Sequence, residues 1–388
     1  MSEDILYYNL EIGVSNYTAQ QANYTGYDNI NNAQITAQNQ IPIVTNPNDY
    51  YCSIVRMVVP QFNIPISYFD VFVDASGNVT DPNKGIYSFT LKYGTNQIHQ
   101  HIYWVQQDQD YQVPTGTKPV ASEYYFIWDY QYFIDRWNEA LKTAYDQLYT
   151  LVGAPLTANT PPFFMYNDAT QEIELYTVKA FSDLNASGTV LEIYCNEAME
   201  KYVFGLSAKY YRSLEGLNMQ FLVKTLPNAT TPLNVQQINS VDYIVIKSQS
   251  ANLSYWNMLK NIIVTTNMPV VQESFFQGYN PNSNAGMFNG SQNVLLNSIL
   301  TDYIPDLTNG NGAFVASSTF IYNASSLWRL FQFSSKLPLY NINVTVYFTD
   351  YNNNSWLLRL YNKNVMSLKF MFIKKSLISQ YMLKSLKI

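Results

Sequence analysis

The sequence predicts an all-β protein: a single jelly-roll β-sandwich with an inserted second domain of α+β, mostly β, structure. Short apolar runs with the two-residue period of strands recur along the chain. Polar, Asn-rich stretches separate these runs, as turns do. Aromatic residues form 16% of the 388 residues, with 34 Tyr and 21 Phe, and both types favour strands. Many short strands joined by long polar connections are typical of sandwiches and jelly rolls.

The two ends of the chain hold the clearest strand patterns. Apolar and polar side chains alternate over residues 6–12 and again over residues 342–348, which predicts half-buried strands. Residues 50–59 are apolar on both faces, as in a strand that is covered on both sides. The polar run 350–354 turns the chain, and a partner strand is expected to return over residues 365–373.

The middle of the chain continues the β pattern after a long polar connection, which is expected from Ser15 to Asn48. Seven further strands are predicted: residues 86–93, 98–106, 173–178, 190–194, 241–247, 262–266 and 314–322.

One helix is expected among these strands. Large apolar residues recur at helical spacing over residues 130–152. Asp129 is placed to cap the start, and Gly153 ends the pattern. Weaker helical patterns cover residues 196–204 and 376–386.

The domain organisation follows from two turn-rich stretches, near residues 74–78 and 227–232. They bound the segment 76–233, which contains the helix and its own strands. We therefore predict a jelly-roll domain built from residues 1–75 and 234–388, with residues 76–233 inserted as an outer domain.

Composition excludes several classes of protein. The net charge is −6 and the pI is about 5.0, so no global positive field attracts nucleic acid. No apolar run reaches the length of a membrane span, and the acidic start differs from a signal peptide. Two cysteines, Cys52 and Cys195, are too few for a disulfide framework or a four-cysteine zinc site. Both lie in apolar strands and are expected to be buried free thiols. We expect a protein that is made and used inside a cell.

Candidate catalytic chemistry is sparse. The two histidines, His99 and His101, lie on one face of a predicted strand, and Asp108 and Asp110 follow at its end. The two histidines are a plausible half of a metal site, which the two aspartates could complete, but a solvated strand face explains them better. We predict no catalytic, cofactor-binding or metal-binding residues and no cofactor: the chain is not an enzyme. Paired carboxylates of a β-jelly-roll hydrolase remain an alternative, because such residues come from distant strands.

A basic segment closes the chain. No acidic residue follows Asp350, whereas seven basic residues do: Arg359, Lys363, Lys369, Lys374, Lys375, Lys384 and Lys387. Contact with nucleic acid, anionic lipid or an acidic inner shell component is one interpretation. Lysines that protect an edge strand, followed by a solvated tail, are the simpler one.

Aromatic clusters such as residues 124–126 and 210–211 raise a further alternative. Tyrosine is enriched at protein interfaces, because it joins a large apolar body to a polar tip. It also stacks on sugars, so a glycan-binding β-sandwich attachment module, with a glycan on the inserted domain, stays open.

Several segments carry a resemblance to a known family. The sequence resembles the penton, or minor capsid, proteins of virophages. The segments are the strand 49–60 with residues 63–66 after it, the helix entry 126–133, residues 267–273, and the strand end 348–351. Relatives often have a Gly-Asn turn where this chain has three asparagines, 352–354. This departure concerns the turn type, since Asn also tolerates positive φ.

The resemblance implies a structural role. It implies a single jelly roll with an extra domain on the outer side, and homopentamers that close the vertices of an icosahedral capsid. It also implies the major capsid protein of the shell as a partner. The expected location is the virion, at the capsid vertex, after assembly in the host cell cytoplasm.

Overall fold

The computed structural model describes residues 4–13, 31–60, 64–72, 74, 80, 84–107, 123–167, 169–170, 172–183, 188–210, 219–221, 234–249, 256, 258–271, 275–277, 296–304, 319–324, 329–350, 355–360 and 365–378. The chain divides into two units. The sandwich unit comprises Met1–Ile64 and Met258–Ile388, and the inserted unit is Pro65–Asn257.

Strands dominate both units, and the all-β fold class is confirmed. In the sandwich unit the described strands are β1 (Ile5–Gly13), β2 (Asn31–Asn32), β3 (Gln34–Gln38), β4 (Tyr50–Pro60), β16 (Leu259–Thr266), β17 (Val270–Val271), β18 (Phe275–Gln277), β19 (Leu296–Tyr303), β20 (Thr319–Asn323), β21 (Phe331–Phe333), β22 (Asn341–Asp350), β23 (Ser355–Leu357), β24 (Arg359–Leu360) and β25 (Val365–Lys374). In the inserted unit they are β5 (Ser67–Tyr68), β6 (Lys84–Tyr93), β7 (Asn96–Tyr103), β8 (Phe126–Ile127), β9 (Phe163–Asn167), β10 (Glu172–Val178), β11 (Leu191–Cys195), β12 (Ala208–Tyr210), β13 (Met219–Phe221), β14 (Val235–Ile238) and β15 (Val241–Lys247).

Helices are few. The α-helices are α1 (Tyr130–Val152), α2 (Lys179–Ser182) and α3 (Glu200–Val203), and short 3₁₀ turns cover Pro47–Asp49, Glu123–Tyr125 and Glu197–Met199. The weak helical pattern over residues 196–204 thus forms a 3₁₀ turn followed by the short helix α3. Of the pattern over 376–386, residues 376–378 are helical and the rest lies outside the described residues.

The sandwich unit contains two antiparallel sheets of six strands each. Two such sheets are the basis of a jelly roll. The first has the order β1-β25-β4-β21-β17, with β20 also on β4. Its inner face is apolar: Leu10, Leu368 and Met57 are register partners across three strands, and all three are buried. The second sheet has the order β18-β19-β16-β22-β23, with β3 also on β22. Ile262 and Phe348 are partners in its buried core.

Two expectations for the sandwich unit were wrong. The predicted connection 15–48 contains β3, whose residues pair with the first half of β22; residues 14–30 lie outside the described residues. Strand β25 does not return beside β22. It lies in the other sheet between β1 and β4, and the strand that pairs with β22 after the turn is β23. Residues 351–354, the predicted turn, lie outside the described part.

The inserted unit has its own two main sheets and the long helix. One sheet has the order β14-β15-β10-β9 and the other β12-β13-β11-β6-β7. Helix α1 has the predicted bounds. The Asp129 carboxylate accepts a 2.7 Å hydrogen bond from the Tyr132 amide, which satisfies one free N–H of the first turn. Gly153 ends the helix at φ 66°, a conformation that favours glycine.

The buried face of α1 forms an aromatic core within the inserted unit. Trp137 is fully buried. Its indole packs on Phe133, Phe164 and Trp256, with ring centroids 5.1–5.4 Å apart. Phe69, near the start of the unit, and Trp256, near its end, both lie 6.0 Å from Phe133. The two ends of the inserted unit are therefore fixed in the same core.

The inserted unit is longer than the expected segment 76–233. Strand β15 pairs with β10 in the middle of the four-stranded sheet, over five residues. The chain after 233 therefore completes a sheet of the inserted unit, and the division falls at Pro65 and Asn257. Independent folding of this unit stays a prediction.

Removal of the inserted unit at these bounds should leave a folded sandwich. We expect a chain in which a short Gly/Ser linker replaces residues 65–257 to show a β-type circular dichroism spectrum and a cooperative melt. The reason is that the described contacts of the α1 aromatic core lie within the removed unit. The excised unit should fold alone.

The matched control removes residues 76–233 instead. This cut leaves β15 in the remaining chain without β10, so apolar residues of β15 lose their cover, each at about 1.5–3 kcal/mol. We expect this product to aggregate. A molten product from the 65–257 excision would instead mean that the two units share a core.

Candidate functional site

The predicted histidine pair lies on β7 in the inserted unit. His99 is exposed, and its Nδ1 lies 2.9 Å from the hydroxyl of Thr90. The His101 ring meets the His99 ring edge to face at 4.9 Å and packs on Phe72 at 5.8 Å. Asp108 and Asp110 lie outside the described residues. Within the described ranges, no group of three or more His, Cys, Asp or Glu residues could hold a metal ion.

The two cysteines are buried free thiols, as predicted. Burial raises the pKa of Cys52 well above the ordinary value of a thiol and also raises that of Cys195. A nucleophilic thiolate is therefore disfavoured at both positions.

A buried carboxylate, which sequence reasoning missed, lies in the four-stranded sheet of the inserted unit. The side chain of Glu174 on β10 is 2% exposed. It accepts hydrogen bonds from the Tyr176 hydroxyl at 2.6 Å and the Asn167 amide at 3.2 Å. The Lys247 ammonium lies 2.9 Å away. A charge buried in this way is normally paired and hydrogen-bonded.

The electrostatics of Glu174 follow from these contacts. Burial alone would raise its pKa, but the hydrogen bonds from Tyr176, Lys247 and Asn167 outweigh burial and hold the pKa below the ordinary value. The group is thus a stable anion with filled acceptor sites, unlike a general acid, whose pKa must be raised. The sequence did contain a signal for this buried carboxylate: Glu172, Glu174 and Tyr176 alternate strictly along β10 and so share one face of the strand.

A second polar cluster lies near the start of the inserted unit. Asp70 accepts hydrogen bonds from the Tyr87 hydroxyl at 2.5 Å and from Lys201 at 3.0 Å. The Lys201 ammonium also lies 4.8 Å from the ring centroid of Tyr202. Since Asp70 follows the entry of the chain into the unit, this cluster ties the entry to α3.

The first of the two aromatic clusters that suggested a glycan groove consists of core residues. Tyr124, Tyr125 and Phe126 are 5%, 0% and 4% exposed. For Tyr210 only the backbone is described, and Tyr211 lies outside the described residues. The high aromatic content therefore serves packing at the first cluster.

The basic residues near the C-terminus are partly engaged. Lys374 lies 3.3 Å from Asp4, and Lys375 donates to Gln332 at 2.9 Å. Both lie at the C-terminal end of β25, which has a neighbouring strand on each side, so the interpretation as edge-strand lysines was wrong for this strand. Lys363, Lys384 and Lys387 lie outside the described residues, and of Arg359 only the backbone is described.

A cleft with a mixed polar and apolar lining, which the sequence did not predict, opens on the sandwich unit. It has a volume of about 370 Å³. Its apolar lining includes Met268, Phe333 and Leu337, and its polar lining includes Asn267 and Ser335. Leu337 is 76% exposed and Tyr340 41%. Ile41, 77% exposed, lies beside them, because the amides of Asn39 and Ile43 donate to the carbonyls of Tyr340 and Leu339. We call Ile41, Leu337 and Tyr340 the cleft rim.

No helix among the described residues is long and apolar enough to cross a membrane.

Replacement of Glu174 by Gln should weaken the fold and flatten its acid dependence. Because the folded-state pKa is depressed, the stabilisation is present above the unfolded pKa and is lost as pH falls through the folded pKa. We expect a loss of about 1.5–3 kcal/mol near neutral pH. We also expect a smaller decline than in the wild type between about pH 5 and pH 3.

Urea unfolding at several pH values measures both effects. Glu172→Gln is the matched control, since Glu172 is half-buried on the same strand face. Identical pH profiles for the wild type and Glu174→Gln would contradict the prediction.

The histidine pair is predicted to hold no functional metal. Elemental analysis of carefully purified protein should find zinc and calcium far below one per chain, with no change on His99→Ala. Two neighbouring imidazoles alone supply too few ligands for a structural site. A stoichiometric metal that is lost with His99 would overturn this.

Comparisons with known proteins cover nearly the whole chain. The family described as Sputnik minor capsid protein V18/19 matches residues 6–374. Structural protein V19 of Sputnik virophage is 29% identical over 229 residues, which are 56% of this chain and 96% of that protein. Uncharacterized protein V18 of the same virophage is 32% identical over 139 residues, 33% of this chain and 78% of that protein.

Solved structures agree with these sequences. A chain in the cryo-EM structure of the Sputnik virophage has a TM-score of 0.72 and 28% identity, covering 97% of this chain and 99% of that one. The mavirus penton protein shares the fold, with a TM-score of 0.56 and 13% identity over 95% of this chain and 99% of its own. The chain belongs to the Sputnik minor capsid protein V18/19 family.

Proposed function

We propose that this protein is a minor capsid protein that forms homopentamers at the vertices of an icosahedral virophage capsid. The observation that carries the proposal is the similarity of 97% of the chain to a chain of the Sputnik virophage structure. The shared fold with the mavirus penton protein adds support for the vertex position. The proposed location is the virion, after assembly in the host cell cytoplasm.

The proposed role is structural and not catalytic. The curated relative that covers most of this chain is itself named a structural protein. The chemistry of the described polar groups agrees with such a role. The buried carboxylate of Glu174 is fully engaged and stays ionised, and the buried thiols are held in their neutral form.

A fivefold ring needs two different lateral surfaces on each subunit, because its contacts are heterologous and must close after five steps. We infer that the cleft, with its exposed apolar rim, supplies one of them. The cleft rim exposes three large apolar side chains on the sandwich unit, and an exposed apolar group of this kind marks protein contacts. Contact with the major capsid protein would use further surfaces of the same unit.

Two other partners remain proposals. The basic end of the chain is a candidate contact for nucleic acid or inner shell components. A glycan on the inserted unit has weaker support, since Tyr124, Tyr125 and Phe126 are buried.

The pentamer is tested by native mass spectrometry at high protein concentration and by electron microscopy of assembled shells. We expect five copies per vertex. Leu337→Asp should weaken the pentamer at least about tenfold, because a charge enters a desolvated contact. It should leave the monomer's stability within about 0.5 kcal/mol, because Leu337 is exposed.

Ile304→Asp is the matched control. Ile304 is 75% exposed on the same unit, so the charge and exposure are equal and only the position differs. A stable twofold dimer in shells would refute the pentamer. If both variants weaken the pentamer equally, the cleft is not part of the interface. This result would not contradict the pentamer itself.

A further inference from the structure

Part of the outer face of the first sandwich sheet is covered. Leu368 on β25 lies on the inner face with its register partner Met57, so Met371 and Ile373 of the same strand lie on the opposite, outer face. Met371 is nevertheless only 2% exposed and Ile373 6%, and Ser53, the partner of Met371 on β4, is 1% exposed. A sheet face that is open to water does not bury three neighbouring residues in this way. Some part of the chain therefore lies over them.

The covered area has a boundary on one side. Tyr7 on β1 is the other register partner of Met371, and Ile5 is that of Ile373. These two side chains of β1 are 57% and 43% exposed. The cover therefore begins at β25 and extends over β4, away from β1.

The chain that leaves β25 starts such a cover. Residues 375–378 are helical. The Lys375 ammonium lies 5.4 Å from the ring centroid of Tyr51 and donates a 2.9 Å hydrogen bond to the side chain of Gln332. Tyr51 is the register partner of Ile373, and Gln332 is the partner of Tyr51, so both belong to the outer face. The first helical turn after β25 thus contacts the sheet on the side where the cover lies.

The sequence after this turn continues an apolar stripe. Within the turn Leu377 and Ile378 are half-buried, whereas Ser376 is exposed, which shows the buried side of the helix. On that side apolar residues recur at helical spacing, and Leu383 is the exception on the other side. The stripe continues with Tyr381, Met382 and Leu386, and the opposite side has Gln380, Lys384 and Lys387.

The length of this segment suits the covered area. As a helix, residues 375–388 would measure about 21 Å. This length corresponds to roughly four spacings between neighbouring strands. A helix that starts at the end of β25 can therefore cross β4 and reach β21.

Residues 14–30 are less suited to cover the same area. They follow Gly13, which pairs with Val365 at the far end of β25. Val14 and Ile30 are their only large aliphatic residues, and most of the others are polar. Position and pattern both favour the C-terminal segment.

We propose that residues 379–388 extend the helix and pack with their apolar stripe on the outer face of the first sheet, over Met371 and Ser53. We call residues 375–388 the strap. The strap holds β25 from the outer side while the core holds it from the inner side, and it keeps an apolar area of the free subunit out of water. The inference concerns a single chain and does not rest on the proposed function.

Methionine oxidation tests the strap, because each face of β25 carries a methionine. Met371 lies under the proposed strap, and Met366 lies in the core at 0% exposed. Hydrogen peroxide oxidises accessible thioethers fastest, so mass spectrometry of the full-length protein should show slow oxidation of both residues. In a chain that stops after Ile378, oxidation of Met371 should be at least about tenfold faster, whereas that of Met366 should not change.

A pair of full-length variants gives the same test without truncation. Met382→Asp with Leu386→Asp places two charges in the apolar stripe and should also accelerate the oxidation of Met371, because a charge is not buried without a partner. Ser376→Asp with Gln380→Asp is the matched control. It adds the same two charges on the polar side of the helix and should leave Met371 protected.

Three results would overturn the strap: rapid oxidation of Met371 in the unaltered protein, continued protection of Met371 in the shortened chain, or equal effects of the two double variants. If the shortened chain unfolds, Met366 is oxidised too, and the full-length variants then decide. Protection of Met371 that returns when the shortened chain is mixed with an equal amount of full-length protein would assign the cover to a second copy. This result would overturn docking within one chain.

Discussion

The sandwich depends on the pairing of the two ends of the chain. Strand β1 pairs with β25 over nine consecutive residues, from Ile5 with Ile373 to Gly13 with Val365. Strand β25 then pairs with β4 on its other side, so the last strand occupies an interior position in the first sheet. The paired strands β1, β25 and β4 form a frame, and every segment between them in the sequence begins and ends at this frame. Such a pairing closes a very long loop, whose entropic cost grows only slowly with length.

This frame explains how a second unit fits into the chain. The insertion leaves after β4 and returns before β16, and its first and last aromatic residues, Phe69 and Trp256, both reach Phe133 on α1. Because Phe69 and Trp256 pack on the same ring, the two ends of the inserted unit lie close together. Helix α1 lies at the centre of that core. The rings of Trp137 and its neighbours pack there and are buried from solvent. Aromatic pairs also add about 0.5–1.5 kcal/mol each beyond burial.

The surfaces follow a different logic from the cores. The exposed apolar side chains at the cleft rim add little to the stability of an isolated subunit, which suits a protein whose working state is an assembly. The acidic inserted unit and the slightly basic sandwich unit give the chain a polarity that its net charge conceals. Only the assignment of each strand to a sheet shows which charges share a face.

Local patterns in the sequence determined the strand and helix positions, because these depend on neighbours in the chain. Alternation marked β1 and β22, and the Asp129 cap with Gly153 marked both ends of α1. Long-range pairing decided the rest. The sequence of strand β3 is polar and predicts a loop. It forms a strand because it pairs with β22, which lies about three hundred residues later in the chain. Strand β15 joins the inserted unit through β10, and this moved the boundary that turn residues had suggested. Likewise, Lys369 is an ordinary lysine in the sequence. Arg56 becomes its neighbour only when β25 enters the sheet beside β4, since register is set by the packing of whole strands and not by local preference.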